Sequence, residues 1–174
     1  CHDSFISDWK LADSYAFANV FSDSSLEIHR CDKPTGKMAG RKNLFPELGV
    51  IDSNATRIKR LQQLASDLVQ PADGRLYRTL VNRIWAQFFG RGIIEPVDMM
   101  DNLPWNADLI DWLAYDFVAS GYDSKRLMLQ ILTSQTYQLP SVAVKDVEML
   151  TASNFVFKGM VRKRLTAEQF ADAV

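Results

Sequence analysis

Residues 75–138 read RLYRTLVNRIWAQFFGRGIIEPVDMMDNLPWNADLIDWLAYDFVASGYDSKRLMLQILTSQTYQ, and their punctuation decides the fold. Leu76, Tyr77, Leu80, Val81, Ile84, Trp85, Phe88 and Phe89 recur at spacings of three and four. That is the α-helical period, with an apolar face wide enough to predict burial on more than one side. Gly90 and Gly92 follow, and a glycine just past a helix takes the left-handed C-cap that side chains resist. Residues 93–105 then predict a loop, with Ile93 and Ile94 inward and Glu95, Asp98 and Asp101 outward. Asn106 predicts the cap of a further helix whose core face is Leu109, Ile110, Trp112, Leu113, Phe117 and Val118, closed by Gly121. Asp123 opens another, with Leu127, Met128, Ile131, Leu132 and Tyr137 inward and Pro140 as its limit. Connections this short favour antiparallel neighbours.

Upstream, Asn54 can cap a helix carrying Ile58, Leu61, Leu64, Ala65 and Leu68, ended by Pro71. Residues 32–53 hold Pro34, Gly36, Gly40, Pro46 and Gly49 and are expected to be a linker. Before them, aromatic-rich residues 7–21 predict one helix, and Leu26, Ile28 and the run to Cys31 predict one strand. Downstream, Thr166 and Gln169 make a capping box. The expected fold is mostly α: an antiparallel helical bundle over 54–174 behind a loop-rich, partly extended N-terminal segment. With Cys1 in place of Met and a last helix of only about two turns, too short to be stable alone, the chain is read as an internal piece of a longer protein.

Composition narrows function. The chain has 174 residues, 47% hydrophobic and 24% charged, enough for a real core. A net charge of −1 argues against a dedicated nucleic-acid binder, which needs a basic excess to neutralise phosphates. The clusters Arg57, Lys59, Arg60 and Arg162, Lys163, Arg164 are expected to be solvated faces. No stretch approaches the ~20 apolar residues of a membrane span.

Chemistry-bearing residues are few. Cys1-His2-Asp3 could be the end of C-x-x-C-H, in which two thiols attach a c-type haem and the histidine becomes an axial ligand. A chain-start cysteine beside a surface histidine fits the same three residues. Cys31 reads as a small buried hydrophobe, or as a disulfide partner of Cys1 if Cys1 carries no haem. His2 and His29 are the only histidines and lie far apart, so no metal-ligand spacing is visible and a Ser-His-Asp arrangement lacks a base within the helical region. Arg78 and Asn82, and likewise Arg83 and Gln87, stand one turn apart and flank the apolar stripe of the 75–89 helix. With Arg91, Glu95, Asp98 and Asp101 they could form a pocket for an anionic group or a sugar. Equally, the arginines could pair with the carboxylates and clamp the loop to the helices. Of the tryptophans, Trp105 beside Pro104 is the one expected to retain exposure for sugar stacking.

Several motifs in order carry a family resemblance: Val81-Asn82-Arg83-Ile84-Trp85, Phe89-Gly90-Arg91-Gly92, Asp98, Leu109-Ile110-Asp111-Trp112-Leu113, Phe117, Gly121, Leu132-Thr133-Ser134 and Tyr137, then Arg164-Leu165-Thr166-Ala167-Glu168-Gln169. They resemble the domain found C-terminally in large planctomycete and verrucomicrobial cytochrome-c-associated proteins, often called the PSD domain. Cys1-His2-Asp3 and Tyr15-Ala16-Phe17 are similar to the end of the cytochrome-c-like partner domain that precedes it, so residues 1–31 are expected to be that partner's tail. The resemblance implies a periplasmic, cell-envelope or secreted protein and haem c in the parent, at Cys1 and His2. It comes from a lineage rich in sulfated-polysaccharide enzymes, which leaves an enzyme or binding module acting on polysaccharide as the alternative to a redox-accessory module. It carries over no catalytic residue; Asn82, Arg83, Arg91 and Asp98 are the polar positions that the motif shares.

Overall fold

A computed structural model of the chain describes residues 2–5, 8–70, 74–143 and 155–174. Its contacts divide the chain into two units, Cys1–Asp73 and Gly74–Val174. Among the described residues the only sheet has two strands and everything else regular is helical, so the chain is mostly α.

In the first unit, α1 spans Leu11–Ala18, shorter than the 7–21 expectation. Its start is fixed by carboxylates: Asp3 Oδ1 accepts from Leu11 N–H at 2.8 Å and Asp13 Oδ2 from Lys10 N–H at 2.9 Å. Acidic groups suit a helix N-terminus, where unpaired N–H groups concentrate positive charge. Where one strand was expected there is an antiparallel hairpin, β1 (Glu27–Arg30) and β2 (Lys33–Met38), with Arg30 paired to Lys33 and His29 to Pro34. The second strand escaped sequence reading because Lys33-Pro34-Thr35-Gly36-Lys37-Met38 has no alternation, and every residue of it is exposed. Cys31 sits at the tip with φ +53° and is exposed, which corrects the buried-hydrophobe reading; Cys1 lies outside the described residues. The residues expected as linker include β2, a 3-10 turn at Pro46–Leu48, and the buried Ala39, Asn43, Leu48 and Ile51.

Helix α2 (Arg57–Leu68) is capped by Thr56, not Asn54, and turns an unexpected face inward. Of the predicted stripe only Leu64 is buried, packed with Val20 and Ile51, while Ile58 is 66% exposed. Arg60 takes a core position, contrary to the solvated reading of its cluster. Its guanidinium donates to the carbonyls of Val20, Ala55 and Ser22, all three within 3.1 Å. A fork of five donors can enter a core when carbonyls meet it.

The second unit follows the predicted punctuation closely. Helix α3 runs Arg75–Phe89 and ends on Gly90 at φ +75°. Helix α4 (Ala107–Ala119) is capped by Asn106, whose side chain accepts from Leu109 N–H, and α5 (Ser124–Thr133) by Asp123 through Arg126 N–H. The fifth helix stops at Thr133, short of the expected limit; residues 134–139 form turns. Helix α6 (Ala167–Ala173) carries the Thr166–Gln169 capping box. The core joins Tyr77, Val81, Ile84, Trp85 and Phe89 of α3 to Ile110, Leu113, Ala114 and Phe117 of α4 and to Leu127 and Ile131 of α5, with Ile93 and Ile94 of the intervening loop wholly buried. Trp112 was expected in this core and is 53% exposed; Leu76, Leu80 and Leu132 are also outside it. The buried stripe of each helix is narrower than its apolar content.

Candidate functional site

The shared polar residues gather where α3 meets the loop behind it. Asn82 faces the core one turn below Ala86 and is completely buried. Its Oδ1 accepts from Ile93 N–H at 2.7 Å and Ile94 N–H at 2.9 Å, and its Nδ2 donates to Ile94 O and Val97 O, each at 2.9 Å. A carboxamide has two acceptor sites and two donors, so none of its capacity is left for a ligand. The loop must bury Ile93 and Ile94 without strand partners, and Asn82 supplies the missing pairings. Gly92 passes close by: a Cβ there would lie 3.0 Å from Asn82 Oδ1.

The remaining members bind the loop from outside. Arg83 Nε donates to Asp98 Oδ1 at 2.7 Å, a pair open to solvent on both sides; the hydrogen bond to Asp98 lifts the guanidinium pKa further. Arg75 pairs with Asp101 at 2.9 Å. Arg78 Nε stands 2.9 Å from Asp111 Oδ1 without hydrogen-bond alignment, so that contact is Coulombic. Asn102 donates to Glu95 O at 2.7 Å, and Glu95 accepts from Gly92 N–H.

Arg91 is buried. It donates from Nη1 to Gly92 O at 2.9 Å, and its guanidinium carbon sits 3.8 Å from the centre of the Phe155 ring. Burial lowers its pKa and the nearby Glu95 charge opposes that shift. Trp105 donates from Nε1 to Gly92 O at 3.2 Å and lies stacked on Phe157, 5.6 Å away with 12° between the planes. Phe157 also meets Trp85 and Phe89 edge-on. Trp105, the one tryptophan whose loop position left room for exposure, is thus partly buried and engaged with the core. Phe155 and Phe157 were missed in the sequence; their period-two spacing in Asn154-Phe155-Val156-Phe157 was the available signal.

Thus Arg83 pairs with Asp98 and Arg75 with Asp101, while Asn82 and Arg91 bind loop backbone. Gln87 does not join them; its carbonyl accepts from Lys163 Nζ across the end of α3. Elsewhere, Cys1 lies outside the described residues, and His2 is exposed with Nδ1 2.7 Å from the Asp3 carbonyl oxygen.

These features define a class: a mostly α chain in which a saturated carboxamide and two ion pairs hold a buried loop against a helix. The chain belongs to the PSD1 family, proteins of unknown function (DUF1553), whose pattern covers residues 59–174. No curated protein and no solved structure matches it.

Haem c, which the resemblance implies for the parent, can be tested against the residues here. An axial histidine needs a ring nitrogen with a lone pair while the other is held by a hydrogen bond. His2 meets that requirement, because a carbonyl can only accept and Nδ1 must therefore carry the proton.

Proposed function

We propose that this chain is a structural or redox-accessory module of a larger haem-c-associated protein of the periplasm, cell envelope or secreted fraction. Its helical domain would support the partner domain of the same parent chain. The observation that carries the non-catalytic half is the complete hydrogen bonding of buried Asn82 to the loop backbone, beside an Arg91 bound to Gly92 O and an Arg83 paired with Asp98. A binding or reacting site needs polar groups turned toward a cavity; these are turned toward the loop they hold. We read α3 and α4 as an antiparallel pair, because Tyr77 early in α3 meets Phe117 late in α4, whereas Trp85 late in α3 meets Trp105 just before α4 begins.

For the redox half, Cys1 would hold the haem through a thioether and His2 would ligate its iron. When attached, a c-type haem supplies one-electron exchange at its iron. The chain's own part is orientation: the Asp3 carbonyl fixes the proton on Nδ1 of His2, and Phe5 packs against the imidazole at 4.5 Å between ring centres.

The test is a reduced pyridine haemochrome spectrum of the parent protein, extended upstream of Cys1 and produced in cells competent for c-type cytochrome maturation. A covalent haem band that disappears with Cys1→Ala is expected. A colourless, folded parent protein would refute the redox half and leave a structural module.

A further inference from the structure

We propose that a second copy of this chain docks its helix α6 on the outer face of α4. Helix α6 is well capped and buries nothing. Gln169 N–H donates to Thr166 Oγ1 at 3.2 Å and Thr166 N–H to Gln169 Oε1 at 3.1 Å. Ala167, Phe170, Ala171 and Val174 fall at i, i+3, i+4 and i+7, one continuous apolar face, with Glu168 and Asp172 opposite. Every residue from Arg162 to Val174 is nonetheless exposed, Phe170 at 63%. Seven residues are too few to hold a helix by themselves, so the stability of α6 must come from whatever covers that face. Such a face is what another protein surface takes up.

The complementary surface lies on α4. Asp108, Trp112, Tyr115 and Ala119 follow at i, i+4, i+7 and i+11 along the side turned away from the core, and all four are exposed, Tyr115 at 74%. Trp and Tyr are the side chains that most often anchor protein contacts. Charge chooses the occupant. Residues 92–124 contain seven carboxylates and no Lys, Arg or His. Arg83, Arg75, Arg78 and Arg126 pair with Asp98, Asp101, Asp111 and Asp116, which leaves Asp108, one turn from Trp112, without an ion pair among the described residues. The run Arg162-Lys163-Arg164 leads directly into α6. Arg162 Nε reaches Ser141 Oγ at 3.4 Å and Lys163 the Gln87 carbonyl, whereas the Arg164 side chain has no hydrogen bond or ion pair among the described residues. In the docked pair Arg164 of one copy meets Asp108 of the other, and Leu165 and Phe170 cover Trp112 and Tyr115. A guanidinium suits both the carboxylate and the neighbouring ring faces. The two surfaces differ, so the contact is heterologous.

Sedimentation velocity of the 174-residue chain between about 1 and about 100 μM, the range for a contact at the small end of interface sizes, reads the association. The mean mass should rise with concentration. Trp112→Ala and Phe170→Ala, both at exposed positions outside the core, should each weaken association about thirtyfold. Asp108→Lys and Arg164→Glu should each be monomeric alone, because like charges then meet across the contact. Mixed in equal amounts they should associate again: one contact regains the native pair, and the other regains it with the signs exchanged. A wild-type chain that stays monomeric would overturn the proposal and leave the α4 face to a partner of another kind. Association indifferent to Trp112→Ala would overturn it too, as would a mixture of the two charge-reversed chains that stays monomeric.

Discussion

Replacing Asn82 by alanine removes four hydrogen bonds at once and leaves Ile93 N–H, Ile94 N–H, Ile94 O and Val97 O to find other partners. A net hydrogen bond contributes about 1 kcal/mol, and a buried donor left unsatisfied costs about 1–3 kcal/mol. Some of these groups can reach water if the loop loosens, so the expected loss is about 3–5 kcal/mol rather than the arithmetic maximum. Asn82→Asp separates hydrogen bonding from volume. It is isosteric and keeps an acceptor for the two N–H groups, but it points an oxygen at Ile94 O and Val97 O and buries a charge without a partner. It should be at least as damaging as alanine. Arg83→Ala is the contrast, because its pair with Asp98 is solvent-exposed and should contribute no more than about 1 kcal/mol. Urea unfolding followed by tryptophan fluorescence, with the slopes compared as well as the midpoints, measures all three. An Asn82→Ala midpoint indistinguishable from that of Arg83→Ala, or a well-tolerated aspartate, would refute the view that this carboxamide holds the loop.

Three further outcomes follow from the packing. Trp85→Ala should cost about 3–5 kcal/mol in the same assay, and Trp112→Ala within about 0.5 kcal/mol, since Trp85 is 4% exposed and Trp112 53%; equal losses would contradict the assigned helix faces. Gly90→Ala should lower stability by about 1–2 kcal/mol from its left-handed backbone alone, and more because the new Cβ would lie 2.7 Å from Val161 O; a melting temperature unchanged from wild type would refute that cap geometry. Burial, with the Tyr122 hydroxyl beside it, pushes the Tyr77 phenol up to about 12. An unfolded phenol releases its proton near about 10 while the native one holds it, so the unfolded state binds fewer protons and stability should fall as pH rises from about 10 to about 12. Tyr77→Phe should remove that part of the alkaline loss, and a wild-type chain whose extra alkaline sensitivity matches Tyr77→Phe would refute the assignment.

The second unit was easier to read than the first because its signals are local. Asn106, Asp123 and Thr166 each bind an N–H three residues on, and Gly90 ends α3 through its own φ angle. Such contacts need nothing beyond a few neighbouring residues. The site was half legible: Arg83 and Asp98 were visible as opposite charges that could meet, but the sequence left open whether they would line a pocket or clamp a loop. That choice rested on Asn82, whose four partners lie 11 to 15 residues away in the chain, and on Phe155 and Phe157, which cover Arg91 and Trp105 from still farther off.

By itself, then, the sequence determined where the helices of residues 75–138 begin and where the first of them ends, since spacing and capping operate within a turn or two. Tertiary structure alone decided which face of α2 is buried, admitted Arg60 to the first core, left Trp112 in solvent and paired β2 with β1. Those outcomes depend on what is available to pack against. Arg60 is buried because the carbonyls of Val20 and Ser22, some forty residues earlier in the chain, arrive to accept from it, and a helix cannot announce along its own length which of its faces will meet such a partner.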